Sequence, residues 1–167
     1  MNFIPLRRSY AAHGQVNIAH TDGKTMHKLL FLVDTGATHT TIPRTLLEND
    51  LGYTSKYIND NKILLPENER PLMENGERAD VYKIPINRIN IGGHEIHLQY
   101  VLSSDTVNLI SLLGLDVLSY FKFTFDFDDI DTYAPYGKML YEFRESRRVD
   151  FTKMGEPFAY KLGSADS

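Results

Sequence analysis

Between Gln15 and Phe143 the chain reads as short stretches of alternating apolar and polar residues separated by turn signals, and that period of two is the mark of strands. Gln15 to Ile18 alternates, and His20-Thr-Asp-Gly23 is a hairpin signal after it. Leu29 to Val33 is a continuous apolar run with the composition of a strand buried on both faces. The chain then turns through Asp34, Thr35 and Gly36 and returns as Thr38 to Ile42, whose β-branched residues suit a second strand. Pro43 ends that strand, and Arg44 to Leu51 reads as a short helix or turn closed by Gly52. Residues 53–71 are polar apart from an island at Ile63, Leu64 and Leu65, bracketed by Pro66 and Pro71. Asn75-Gly76 marks a hairpin. Strand patterning resumes at Ile84, Ile86, Ile89 and Ile91, turns at Gly92-Gly93, and continues from Glu95 to Leu102. Leu109 to Leu113 predicts another strand, ending at Gly114, and a short helix follows over Leu115 to Phe121. Phe123, Phe125 and Phe127 share one face of the next strand, Asp128 to Gly137 is an acidic loop, and Lys138 to Phe143 is a last strand. An all-β fold class follows. Residues 1–9, with Pro5, read as a disordered lead or an edge strand, and residues 144–167 lose periodicity and end frayed.

The feature that asks for a function is Asp34. Asp-Thr-Gly alone is a weak signal, and a solvated Asp before a Thr-Gly turn is its plain structural reading. An acidic residue directly after a five-residue apolar strand is rarely placed there unless something pairs with it or uses it. Asp22-Gly23 has neither a feeding apolar strand nor an intervening Thr or Ser, and serves to reverse the chain.

Asp34, Thr35, Gly36 and Ala37, followed far along the chain by Leu112, Leu113 and Gly114, resemble the two motifs of the retropepsin-like, retroviral-type aspartic proteases. Gly114-Leu115-Asp116 also fits the Gly-x-Asp at the start of that family's helix. The resemblance covers residues 10–143, flanked by an N-terminal segment 1–9 and a C-terminal extension 144–167, with residues 53–71 as an insertion. It implies the acid-protease fold: a closed β-barrel with one short helix and a flap hairpin. In that reading Asp34 with Thr35 and Gly36 is catalytic, and Ala37, Asn75 and Gly76 bind substrate. Leu112, Leu113 and Gly114 are structural, threading past the active-site loop. For Asn75-Gly76 an ordinary surface hairpin is the alternative.

Composition narrows the picture. At 167 residues one domain with a real core is the natural count. The formal net charge is −4 with both signs interspersed, and Arg7-Arg8 and Arg147-Arg148 are isolated pairs, so no nucleic-acid surface is expected. The absence of cysteine excludes disulfides, a thiol nucleophile and a thiolate metal site. No Gly-x-Ser-x-Gly elbow supports a serine nucleophile. His94 and His97, of six histidines, would point to opposite faces of a strand, so no metal or other cofactor is expected; His39 is close enough to Asp34 to border a cleft. No stretch approaches transmembrane length, and a soluble cytoplasmic protein is the expectation.

Two facing aspartates can hydrolyse a peptide bond with water alone, sharing one proton because two carboxylates that close cannot both ionise, as is established for aspartic proteases. This chain has a single Asp-Thr-Gly, since Asp105-Thr106 is followed by Val107. The resemblance therefore implies an endopeptidase acting on a peptide or protein substrate as a homodimer, with Asp34 from each copy. Joining strands are expected from the N-terminal segment and Lys138 to Ser146. The rival reading is a catalytically silent dimerisation or peptide-binding module, which an intact Asp34-Thr35-Gly36-Ala37 disfavours and the long Tyr53 to Pro71 segment keeps open.

Overall fold

A computed structural model of the chain describes residues 2–8, 11–19, 24–86 and 88–144. The hairpin expected at His20-Gly23 and the extension from residue 145 onward, including Ser146, lie outside these. Strands β1 (Asn2–Arg8), β2 (Ala11–Ala19) and β3 (Met26–Val33) come first, with β2 and β3 antiparallel from His13↔Leu32 to Ala19↔Met26. Helices α1 (Arg44–Asn49) and α2 (Ser55–Asn61) precede β4 (Ile63–Leu64) and a 3-10 turn at Glu67–Glu69. Next come β5 (Tyr82–Pro85), β6 (Ile89–Ile91), β7 (His94–Ile96), β8 (Tyr100–Ser103) and β9 (Leu112–Leu113). Helix α3 (Leu115–Leu118) and strands β10 (Phe121–Asp126) and β11 (Lys138–Phe143) complete the chain. The α3 helix is shorter than the predicted Leu115 to Phe121 because Phe121 already pairs with Phe143.

The fold is mostly antiparallel β, as expected, but it is not a closed barrel. The main sheet runs β10-β11-β1-β2-β3-β9, with β6 and β7 branching from β2, and a second sheet is β4-β5-β8. Closure would need β10 to meet β9. The outer side of β9 is instead taken by the chain returning from Asp34: Thr41 N–H donates to Leu112 O at 2.9 Å and Leu112 N–H to Thr41 O at 3.1 Å. That return is a bridge at Thr41 and not the strand predicted over Thr38 to Ile42. Of the segments expected to join two subunits, β1 and β11 pair with each other within the chain, β11 lying between β10 and β1.

Burial follows the strand period. Val16, Ile18 and Phe31 are fully buried and pack with Ile84, Ile89, Val101 and Leu113. Contrary to the expectation of burial on both faces, β3 has one open face, where Leu30 is 63% exposed. The reason lies in β2. Its far edge pairs with β1 at Ala12 and with β6 at Asn17 and Ile18, and the two partners diverge, leaving an open groove of about 620 Å³ over His13, Gln15 and Leu30.

Residues 53–71 are a packed brace. The Thr54 hydroxyl caps α2 by accepting from Tyr57 N–H at 3.0 Å, and Ile58 and Leu65 are buried. The brace is tied to the loop after β8 through Asp105, whose carboxylate accepts from Arg44 Nη1 at 2.6 Å, Lys62 Nζ at 2.8 Å and the Tyr82 hydroxyl at 2.7 Å. Partial burial opposes ionisation, but these three donors outweigh it and hold the Asp105 carboxyl at about 2. A depressed carboxyl stabilises the fold fully above its unfolded value of about 4 and ceases to do so as pH falls through about 2. Asp105→Asn is expected to cost roughly 1–2 kcal/mol at pH 7. In thermal melts across acid pH, the gap between wild type and variant should narrow as pH drops from about 4 to about 2.

Candidate active site

Asp34 stands where β3 ends, and the loop after it is held from two sides. Asp34 N–H donates to Leu113 O at 3.1 Å, continuing the parallel pairing of β3 with β9 past Val33↔Leu113. The loop then folds back on the aspartate: Gly36 N–H donates to Asp34 Oδ1 at 2.8 Å and Ala37 N–H to Asp34 O at 3.3 Å. The carboxylate is half-buried, while Thr35 and Gly36 are exposed at the crest of the turn.

The second motif crosses directly beneath. Leu115 N–H donates to Ala37 O at 2.8 Å and Asp116 N–H to Thr38 O at 3.1 Å. Gly114 passes so close to the loop that a Cβ built there would lie 2.5 Å from the carbonyl carbon of His39, so only glycine fits. The structure thus brings Asp34, Thr35, Gly36 and Ala37 together with Leu112, Leu113 and Gly114.

Asp116 locks the crossing. It is buried, at 5% exposure, and its carboxylate accepts from Thr40 N–H at 2.9 Å and Thr40 Oγ1 at 2.7 Å. Val117 N–H donates to the same group at 2.9 Å, and Thr40 Oγ1 accepts from Gly114 N–H at 3.1 Å. Burial pushes the Asp116 carboxyl up, and the donors from Thr40 and the nearby His39 offset part of that. Thr40, fully buried, was not among the residues singled out from the sequence. A hydroxyl inside an otherwise β-branched run reads equally as a strand residue, so it carried no separate signal.

His39 stands at the far end of the loop, against Gly114. Its Nε2 and the Tyr100 hydroxyl share a hydrogen bond at 3.3 Å, and the two rings stack with centroids 5.8 Å apart. Burial lowers the His39 pKa, with Asp116 acting the other way. Asn75 and Gly76 form a separate hairpin. Gly76 has φ +84°, Leu72 bridges Arg78, and Asn75 Oδ1 accepts from Glu77 N–H at 3.0 Å. Its base packs through Met73 against Leu65, Ala79, Val81 and Leu102. Among the described residues no hydrogen bond joins Asn75 or Gly76 to the Asp34 loop. His97 lies just past the end of β7, and the His94 ring stacks on Phe143 at 4.4 Å. No three His, Cys, Asp or Glu gather as metal ligands among the described residues, and none of their helices is long and apolar enough to cross a membrane.

The family model described as "gag-polyprotein putative aspartyl protease" matches residues 19–120, which include both motifs and their crossing. The chain belongs to this family of retropepsin-like aspartic proteases. By sequence, no curated protein matches it. Among solved structures it is similar to a retropepsin-like aspartic protease from Rickettsia conorii, with 19% identity and a TM-score of 0.50 over 84% of this chain and 89% of that one. It also resembles EIAV protease complexed with the inhibitor HBY-793, with 22% identity and a TM-score of 0.44 over 65% of this chain and 85% of that one. At such identities the likeness to the Rickettsia protein is one of fold.

The crossing makes Gly114→Ala a test of how this retropepsin-like site is held. The added methyl has only backbone to push against, so the variant is expected to lose about 2–3 kcal/mol of stability, measured by urea unfolding. Ala at the exposed Gly36, whose Cβ would lie 3.1 Å from Asp34 Oδ1, should cost less in the same assay.

Proposed function

We propose that the protein is an aspartic endopeptidase, active as a homodimer in which Asp34 of each copy faces the other across one water molecule. The observation that carries this is Asp34, half-buried with its carboxylate oriented by Gly36 N–H at 2.8 Å, at the base of a turn whose Thr35 and Gly36 are exposed. One chain supplies one such carboxylate, and a twofold axis through the turn would supply the second. In the pair, the ionised carboxylate takes a proton from water as its oxygen attacks the carbonyl carbon, while the protonated one donates to the carbonyl oxygen. The tetrahedral species collapses with proton transfer to the nitrogen, and the C–N bond breaks.

The roles of the neighbours belong to this proposal. Thr35 offers a hydroxyl to the partner loop, Gly36 lets backbone approach the carboxylates, and Ala37 floors a subsite. Leu112, Leu113 and Gly114 hold the loop from beneath. The Asn75-Gly76 hairpin is the flap over an extended peptide, with Gly76 at φ +84° supporting a tight tip. The brace at residues 53–71 extends the wall of the cleft, its buried Ile58 and Leu65 anchoring it in the fold.

Hydrolysis of a mixed peptide library at acid to near-neutral pH is expected from the wild type. Asp34→Asn should lower it by at least roughly a thousandfold while the dimer persists in sedimentation. A folded wild-type dimer that binds peptides without cleaving them would favour the silent binding module instead.

A further inference from the structure

Sheet β4-β5-β8 has two unlike faces. In its register Ile63 pairs with Lys83, Lys83 with Leu102, and Pro85 with Tyr100, so these five side chains share one face. Tyr82, Ile84 and Val101 point the other way and are fully buried in the core. The outer face meets the Asp34 loop edge-on, because Leu102 N–H donates to Thr40 O at 2.9 Å and Ile42 N–H to Leu102 O at 3.0 Å. On the other side stands the Asn75-Gly76 hairpin, whose Met73 packs on the same small cluster as Tyr100. The loop and the hairpin both touch this corner of the sheet face, through Thr40 and Met73.

The floor of this corner sets a cation beside a hydroxyl and an imidazole. The Lys83 ammonium lies 4.7 Å from the centroid of the Tyr100 ring, and the Tyr100 hydroxyl reaches His39 Nε2 at 3.3 Å. Arg44, Lys62 and Lys138 each have a carboxylate partner, whereas Lys83, half-buried, has none among the described residues. The ring face steadies the ammonium but supplies no anion. Two native carboxylates act on His39: Asp116, consumed by Thr40, and Glu69, exposed on the 3-10 turn.

We propose that this corner is a subsite for an acidic side chain of the peptide, with Lys83 selecting it and Tyr100 and His39 forming its floor. The inference rests on the peptidase reading, since it supplies that site with a substrate class. A substrate carboxylate entering from solvent would complete the ion pair that Lys83 lacks and gain a charge-assisted hydrogen bond.

The test uses the full chain and pairs of peptides differing only by Glu or Gln, the Glu being moved one position at a time. Wild type is expected to prefer Glu over Gln at one position beside the scissile bond by about five- to tenfold in kcat/KM, the range of a charge-assisted hydrogen bond at a partly exposed site. Lys83→Gln should bring the ratio close to one, and Lys83→Glu should reverse it in favour of the Gln peptide. The same ratios are read as binding of fluorescent peptides to Asp34→Asn, which needs no hydrolysis. Binding that prefers Glu without cleavage by wild type would overturn the peptidase reading and leave the acidic subsite standing. Cleavage with no Glu preference, or a preference that survives Lys83→Gln, would overturn the subsite alone. Absence of both cleavage and binding would overturn both.

Discussion

The site depends on one crossing, in which the Gly114 backbone passes under the Asp34 loop with no room for a side chain. Two extended segments packed this closely must satisfy each other's amides, because water cannot reach between them. They do so through Leu115 to Ala37, Asp116 to Thr38, and the Asp116 carboxylate to Thr40. The carboxylate is a costly group to bury, and four donor contacts make it tolerable. It ties the loop to the start of α3 through Thr40, a second anchor besides the amide that holds Asp34 itself. The Asp34 loop and the Leu112-Leu113-Gly114 segment, nearly eighty residues apart, are therefore one mechanical unit.

Much of this was legible in the sequence because it sits in short-range patterns. The run at Leu29 to Val33 ending on Asp34, and Leu112-Leu113-Gly114, show both halves of the crossing and the order in which they occur. Asn-Gly likewise announced a hairpin, found with Gly76 at positive φ. What could not be read were features decided by who sits beside whom. Leu30 is as apolar as its neighbours, yet it is exposed because β1 and β6 part company over β2. Barrel closure failed for a similar reason, since Thr41 occupies the side of β9 that closure would require. The polar stretch at residues 53–71 read as an insertion; its helix hangs on one buried Ile58 and on charges brought to Asp105 from distant positions.

Charges are sorted by depth along the same lines. Asp105, with three donors, is a tie between the brace and the loop after β8, and Asp80 organises that loop by accepting from Ser104 Oγ and the amides of Asp105 and Thr106. Asp116 is deeper and serves the crossing. Asp34 is partly exposed, and among the described residues its carboxylate accepts from Gly36 N–H alone.

The position of β11 between β10 and β1 of its own chain has a kinetic meaning. A subunit whose terminal strands are already paired internally does not need a neighbour to complete its sheet. Were that pairing kept in a dimer, folding and association would be separate equilibria, unlike proteins in which the protomer is unstable alone. Under the proposed reading, a copy would keep its fold on dilution, whereas turnover in dilute solution would rise with the square of protein concentration. Local accumulation of the chain would then switch the activity on, with no change in the fold of either copy.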